Sequence, residues 1–133
     1  MTIICDLCGG RVYPNASGYW ICAVCGADGH YIREIINLTP HEIHEVTTGR
    51  RFPSTGSARV ETTVRQVATI GGMPIVETTF GQVDGLPERT DDTIYIVSRI
   101  VKQAVLDRDD CVCPGELVRD ERGQPIGCKG FSL

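Results

Sequence analysis

Seven cysteines, four of them in two close pairs, constrain this chain more than any other feature. The pairs are Cys5-Asp6-Leu7-Cys8 and Cys22-Ala23-Val24-Cys25, with thirteen residues between them. A glycine follows each pair, and it lets the backbone turn behind the second sulfur so that both thiolates face one metal ion. Two such pairs complete a tetrahedron, so Cys5, Cys8, Cys22 and Cys25 are predicted to hold one structural Zn²⁺ ion.

Two other kinds of protein use the same cysteine pairs, namely redox dithiols and disulfide-linked secreted miniproteins. A thioredoxin-like dithiol needs a strand-to-helix turn inside a βαβ unit, and residues 1–30 contain no helix pattern of that length. The spacing and the paired glycines favour zinc, and the segment resembles a zinc ribbon. Short strands are predicted at 11–13 and 19–21, with a turn between them.

The domain organisation follows from length and turn residues. The chain has 133 residues, of which 41% are hydrophobic and 23% charged, as in a soluble globular protein. The turn-rich residues 26–30 place a boundary near residue 30, between a zinc ribbon at 1–30 and a second domain at 31–133. His30 at this joint is an alternative metal ligand, but the four cysteines already complete the coordination.

Charge and hydropathy exclude several functional classes. The formal net charge is −4, and a zinc tetrathiolate lowers it to about −6, which disfavours a general nucleic-acid binder. There is neither a signal-peptide pattern at the start nor an apolar run of membrane-spanning length, so a cytoplasmic location and no membrane contact are expected. The odd number of cysteines agrees with a reducing compartment.

The second domain is predicted to be α+β, with a mainly antiparallel and possibly barrel-like sheet and one helix. A tight hairpin turn is expected at Gly71-Gly72, and Ser98 is expected to cap a helix over 99–106. The helix pattern puts Ile100, Val101, Ala104 and Val105 on one apolar stripe. Strands are predicted at 31–38, 43–47, 58–63, 65–70, 74–80 and 93–97, and a closing hairpin at 116–119 and 125–129.

Candidate ligand-binding residues lie in two segments. In Asn37-Leu38-Thr39-Pro40-His41, an extended backbone would align Asn37, Thr39 and His41 on one face, where they could bind a polar ligand. The alternative is a solvated edge strand that the proline protects. The loop 53–59 offers Ser57 and Arg59 for an anionic group, although such loops often only connect strands. Residues 80–89 are predicted to form a long connection, which could be one wall of a pocket or could only link two strands.

The sequence argues against an enzyme. His41 and His44 are three residues apart in a β-type stretch, whereas a zincin requires four residues on a helix. A nucleophile with a base and an orienting group is not recognisable. The other thiols, Cys111, Cys113 and Cys128, are interpreted as buried side chains, and a second metal site would need a fourth ligand.

The second domain resembles a family of small proteins of bacteriophages and actinobacteria. The resemblance rests on Asn-Leu-Thr-Pro-His (37–41), Gly-Ser-Ala-Arg-Val (56–60), Phe-Gly-Gln-Val-Asp-Gly-Leu-Pro (80–87), Tyr-Ile-Val-Ser (95–98), Asp-Arg-Asp-Asp (107–110) and Val-Arg-Asp (118–120). It implies a phage origin, action in the host cytoplasm, and by analogy the sequestration of a nucleotide signal in host defence.

The leading hypothesis is therefore a non-enzymatic protein that binds a small polar or anionic ligand, such as a nucleotide. The alternative is an adaptor whose zinc ribbon binds a host protein or nucleic acid. The sequence specifies no oligomeric state.

Overall fold

The fold consists almost entirely of β-strands. The computed structural model describes residues 2–9, 11–17, 19–26, 32–90 and 92–133. Its strands are β1 (Thr2–Cys5), β2 (Val12–Pro14), β3 (Trp20–Cys22), β4 (Ile32–Asn37), β5 (Ile43–Glu45), β6 (Arg50–Phe52), β7 (Arg59–Ile70), β8 (Met73–Asp84), β9 (Thr93–Ile96), β10 (Cys111–Arg119) and β11 (Pro125–Ser132). One short helix, α1, spans Arg99–Ala104. Among the described residues, no helix has the length and apolar character needed to cross a membrane.

Seven strands form one curled, half-barrel sheet in the order β1-β4-β9-β10-β11-β5-β6. The predicted antiparallel pairing occurs at β1–β4, β10–β11 and β5–β6. The centre differs from the prediction, because β4, β9 and β10 run parallel to one another and β11 runs parallel to β5. Parallel neighbours need crossover connections, and α1 supplies the crossover between β9 and β10. The sheet is therefore mixed.

The core lies on both faces of this sheet. Successive residues of β9 point to opposite faces, and both Tyr95 and Ile96 are buried. Tyr95 belongs to a cluster that includes Val101 of α1, so the helix covers one face. Ile96 packs with Phe52 in a second cluster on the other face, where Phe52 meets Phe131 edge-to-face with ring centroids 5.8 Å apart.

Helix α1 begins as predicted but buries a different set of residues. The Ser98 side chain accepts a hydrogen bond from the Val101 N–H at 3.4 Å, which confirms the cap. Val101 and Val105 are buried, whereas Ile100 is 45% exposed. Lys102, which is not part of the predicted stripe, is also buried, and its Nζ donates a hydrogen bond to the Arg108 carbonyl at 2.8 Å. The lysine thus fixes the loop that follows the helix.

Strands β7 and β8 form a long hairpin that stands apart from the main sheet. Gly71 and Gly72 have φ angles of 57° and 80° at its tip, as the predicted turn requires. The two strands predicted before the tip are one continuous strand, β7, and the predicted connection at 80–89 begins instead with the last five residues of β8. Every residue from Glu61 to Gln82 is exposed. We call residues 61–82 the arm.

The sequence patterns gave no indication of β1, which joins the cysteine-rich segment to the main sheet. Strand β1 pairs antiparallel with β4 in a register that places Cys5 opposite Ile32. The predicted ribbon strands are confirmed as β2 and β3, which pair with each other. The predicted boundary near residue 30 and His30 itself lie outside the described residues.

Glu45 ties the β5–β6 turn to β11. Its carboxylate accepts hydrogen bonds from the N–H groups of Thr47 and Thr48 at 2.8 Å, and from the Thr48 hydroxyl at 2.5 Å. It also accepts one from the Gly130 N–H at 3.1 Å. Burial opposes ionisation, but these hydrogen bonds outweigh it and lower the pKa of Glu45 to about 2. The ionised carboxylate therefore stabilises the folded state.

Replacing this carboxylate tests its contribution. Glu45→Gln is expected to lower the free energy of unfolding by about 2 kcal/mol at pH 7, because the amide cannot accept all four hydrogen bonds. The difference from the wild type should be complete above pH 4.5 and should shrink as the pH falls towards 2, where the native carboxylate is protonated. Urea unfolding across this range measures it, with the exposed Glu121→Gln as control. A difference that does not vary with pH contradicts the assignment.

Candidate metal centre and ligand groove

The four N-terminal cysteines come together as one cluster. Their sulfur atoms all lie within 4.8 Å of one another. The Sγ–Sγ distances are 3.7 Å for Cys5–Cys25, 3.8 Å for Cys5–Cys8 and 3.4 Å for Cys8–Cys22. A tetrahedral ion with metal–sulfur bonds of about 2.3 Å requires sulfur–sulfur separations of about 3.8 Å. The cluster therefore has the dimensions needed to hold a metal ion.

Two similar turns build this cluster. The Gly9 N–H donates to the Cys5 carbonyl at 2.9 Å, and the Gly26 N–H donates to the Cys22 carbonyl at 3.0 Å. Both glycines have positive φ angles, 71° and 74°, which an L-residue rarely adopts. The glycines after the cysteine pairs thus have the role that the sequence predicts for them.

The Cys22 sulfur is in an environment that favours its thiolate. A hydrogen bond from the Cys25 backbone N–H contributes most to this effect, and the Val24 N–H adds to it at 3.4 Å from the sulfur. Together with the neighbouring thiols they lower the pKa of Cys22 to about 6. A thiolate is the form of cysteine that binds metal ions.

The cluster is fastened to the main sheet. Cys5 is the last residue of β1, and β1 is hydrogen-bonded to β4. Arg33 of β4 lies 3.5 Å from the Asp6 carboxylate, inside the first cysteine pair. Arg50 of β6 donates to the Gly9 carbonyl in the turn that follows this pair. Metal binding is therefore connected to the sheet through strand pairing and two arginines.

Asn37 and Thr39, which were predicted to bind ligand, are buried and hydrogen-bonded within the chain. The Asn37 amide donates to the carbonyls of His41 and Phe52, both at 2.8 Å. Its oxygen accepts from the Thr39 N–H at 2.9 Å and the Thr39 hydroxyl at 2.6 Å. Strand β4 ends at Asn37, so the expected extended row does not continue to His41. The hydrogen bonds of these two side chains stabilise the loop after β4.

The loop at 53–59 packs against this segment. The Thr55 N–H donates to the Asn37 carbonyl at 3.0 Å, and the Ser54 hydroxyl donates to the Thr39 carbonyl at 2.5 Å. Ser57 is half-buried, and Gly85 packs closely against its backbone. A Cβ atom added at Gly85 would lie only 2.5 Å from the Ser57 carbonyl oxygen. Arg59 is exposed at the start of β7. The two predicted ligand segments are therefore neighbours, and the hydroxyls of Thr39, Ser54 and Thr55 make hydrogen bonds within the chain.

A groove of about 490 Å³ lies between the β5–β6 hairpin and the β10–β11 hairpin. Its cationic and ionisable lining comprises His41, His44 and Arg51, with Glu42 beside them. Its other lining residues are mostly apolar, namely Ile43, Pro114, Leu117, Pro125, Ile126, Gly127 and Cys128. Of the five predicted ligand residues, His41 alone is part of this lining. The groove combines a basic wall with an apolar floor.

The register of β5 and β6 creates the basic wall. His44 lies directly opposite Arg51, with Ile43 opposite Phe52 on the other face. Arg51 Nη1 is 3.0 Å from Glu42 Oε1, and both side chains are largely exposed. The sequence patterns did not identify His44 and Arg51 as a pair. The short turn between β5 and β6 could have predicted this pair, because the length and type of the turn fix the register of a hairpin.

A second groove, of about 320 Å³, is lined by both acidic and basic residues. Its arginines already face carboxylates: Arg89 Nε lies 2.7 Å from Asp109, and Arg33 lies 3.5 Å from Asp6. The Arg89 guanidinium holds the pKa of Asp109 below its usual range. Three carboxylates line this groove, those of Asp6, Asp109 and Asp110, whereas the first groove has Glu42 beside two histidines and Arg51, so the second groove fits an anionic ligand less well.

The other three cysteines are buried apart from the metal cluster. Cys111 is in the core beneath α1, and burial raises the pKa of its thiol to about 11. Burial also raises the pKa of Cys128. Within the described ranges, the N-terminal cysteines are the one group of His, Cys, Asp and Glu residues close enough to hold a metal ion. The buried positions agree with the interpretation as core side chains.

A comparison of the chain with protein-family models, curated proteins and solved structures found no significant match. The phage resemblance and the activity that it implies therefore stay predictions.

Proposed function

We propose that this protein is a zinc-stabilised, non-enzymatic binding protein for a small anionic ligand. The observation that carries the proposal is the groove in which His44 and Arg51 lie opposite each other, with His41 also in its lining. The side chains of His44 and Arg51 both offer N–H donors across the strand pair, so an anion bound between them can accept hydrogen bonds from both. The guanidinium supplies paired N–H donors that match a phosphate or carboxylate.

The apolar floor restricts the ligand further. Leu117 and Ile126 are about half exposed and form part of the lining opposite the basic wall. A fitting ligand has a flat or apolar body and an anionic end. The body could be buried against Leu117 and Ile126, and the anionic end could lie beside Arg51. A nucleotide has this chemistry, and the resemblance to phage proteins supports a nucleotide signal of host defence as the ligand. Binding without turnover would sequester it.

Zinc is the metal that best suits the cysteine cluster. Four thiolates at tetrahedral spacing select soft or borderline ions, and closed four-cysteine sites are typical of structural zinc. The ion would hold β1 and the β2–β3 hairpin together, away from the groove. The metal is thus assigned to stability and the groove to ligand binding.

Isothermal titration calorimetry and thermal shift with cyclic and linear nucleotides and inorganic pyrophosphate test this function. Arg51→Ala is expected to weaken binding of a ligand from this panel about tenfold or more, because it removes charge-assisted hydrogen bonds. The matched control is Arg122→Ala, which removes an exposed arginine from the β10–β11 turn. Failure of the whole panel to bind, or equal losses in the two variants, contradicts the proposal.

Chromatography of the ligand after incubation should recover it unchanged, and conversion would show an enzyme.

One observation favours the alternative of a zinc-ribbon adaptor. Leu7 and Val24 occupy equivalent places in the two cysteine pairs and are 61% and 73% exposed. Paired apolar side chains at the tip of a metal site suit contact with another protein. If this alternative is correct, Leu7→Ser with Val24→Ser should abolish capture of a host protein partner while Arg51→Ala preserves it.

A further inference from the structure

The arm exposes unpaired strand edges as well as apolar side chains. Strands β7 and β8 pair only with each other in the described chain, so the outer edge of each presents unpaired backbone N–H and C=O groups along twelve residues. Val64, Val67 and Val76 are each at least half exposed. An isolated two-stranded hairpin is marginally stable in water. A further strand on this edge would stabilise the arm.

The outer edge of β7 is the better template for pairing. Strand β8 contains Pro74, which cannot donate a backbone hydrogen bond, whereas β7 contains no proline. Neither strand contains lysine, a residue that commonly prevents edge pairing. Strand β7 has one bulge, between Gln66 and Ala68, and its residues 61–65 lie before it, so this part of the edge contains no proline, lysine or bulge.

The charges along β7 indicate which strand pairs with it. Glu61 and Arg65 lie two residues before and two residues after Thr63, on one face of the strand. An antiparallel pairing centred on Thr63 places Glu61 of one copy opposite Arg65 of the other, and it does so twice. We propose that β7 pairs with β7 of a second copy about a two-fold axis, so that the two arms form one four-stranded antiparallel sheet.

The rest of the arm is compatible with this pairing. In the proposed register the two Val64 side chains become diagonal neighbours on the face opposite the ion pairs, a spacing at which side chains interact. Arg65 Nη2 lies 3.3 Å from Glu77 Oε2 within its own arm, so its guanidinium can bridge that carboxylate and Glu61 of the other copy. Only these three residues in the arm are charged, and two copies meet there without strong repulsion. A basic surface for nucleic acid or for an anionic membrane is not available on this face.

Sedimentation equilibrium of the full, metal-loaded chain tests the dimer. The wild type is expected to dimerise, and Arg65→Glu to weaken dimerisation at least tenfold because it opposes two pairs of carboxylates. The double variant Glu61→Arg/Arg65→Glu restores opposite charges between the copies and should recover the dimer. It does not restore the Arg65–Glu77 contact, so recovery separates the interface from the stability of the arm. Circular dichroism verifies that each variant is folded.

Glu77→Gln is the matched control, since it removes the ion pair within the arm and leaves the proposed interface intact. It should dimerise like the wild type. A monomeric wild type, a double variant that fails to recover, or a Glu77→Gln variant as weakened as Arg65→Glu would each overturn the proposal.

Discussion

Removal of the metal ion is expected to produce the largest loss of stability in this protein. Within the described residues of the N-terminal module, the buried cluster consists of Cys5 and Cys22, against which Ile3 and Val12 pack. So small a cluster cannot stabilise three short strands, and structural zinc typically contributes on the order of 10 kcal/mol to such modules. The effect should extend beyond the module, because β1 is an edge strand of the main sheet. Chelation should therefore lower the melting temperature and release hydrogen-exchange protection first in β1 and then in β4.

Metal content and stability must change together in single variants. The wild type should contain one zinc ion per chain by elemental analysis, and Cys22→Ser should contain less and melt at a lower temperature. Cys113→Ala is the matched control, because it removes a buried thiol that is not part of the cluster. It should keep the full zinc content. Two ions per chain in the wild type, or full zinc content in Cys22→Ser, would contradict the assignment.

Local signals in the sequence predicted the local structure well. The cysteine spacing identified a cluster that can hold a metal ion, and Gly71-Gly72 identified the tip of the long hairpin. Ser98 identified the start of the helix. Each of these features depends on residues within a few positions of one another, so a short stretch of sequence contains the information.

The strand order could not be obtained in the same way. The sequence patterns predicted no strand at residues 2–5, Thr-Ile-Ile-Cys, yet these residues pair with β4 about thirty residues later. The parallel order of β4, β9 and β10 depends on which distant strands meet, and alternation within a strand does not encode this. The groove depends on the same order, because residues 53–110 separate its two hairpins in the sequence. His41 was therefore recognised without the residues that accompany it.

Asn37→Ala is expected to cause the largest loss of stability among substitutions outside the metal cluster. Asn37 is 1% exposed, and its amide makes four hydrogen bonds, three to Thr39 and His41 in the loop that follows it and one to Phe52 at the end of β6. The substitution leaves the buried carbonyl of Phe52 and the N–H of Thr39 without this partner. Each unsatisfied buried group costs about 1–3 kcal/mol, so a loss of about 3–4 kcal/mol is expected in urea unfolding.

The same substitution distinguishes a structural Asn37 from a ligand-binding one. Asn15→Ala is the matched control, because Asn15 also accepts two backbone N–H groups, at 2.9 Å each, but in an exposed turn. It should cost about 1 kcal/mol. Asn37 also holds the carbonyl of His41, so a small loss of ligand affinity should accompany the loss of stability. An Asn37→Ala protein as stable as the wild type but unable to bind ligand would instead place the amide in the binding site.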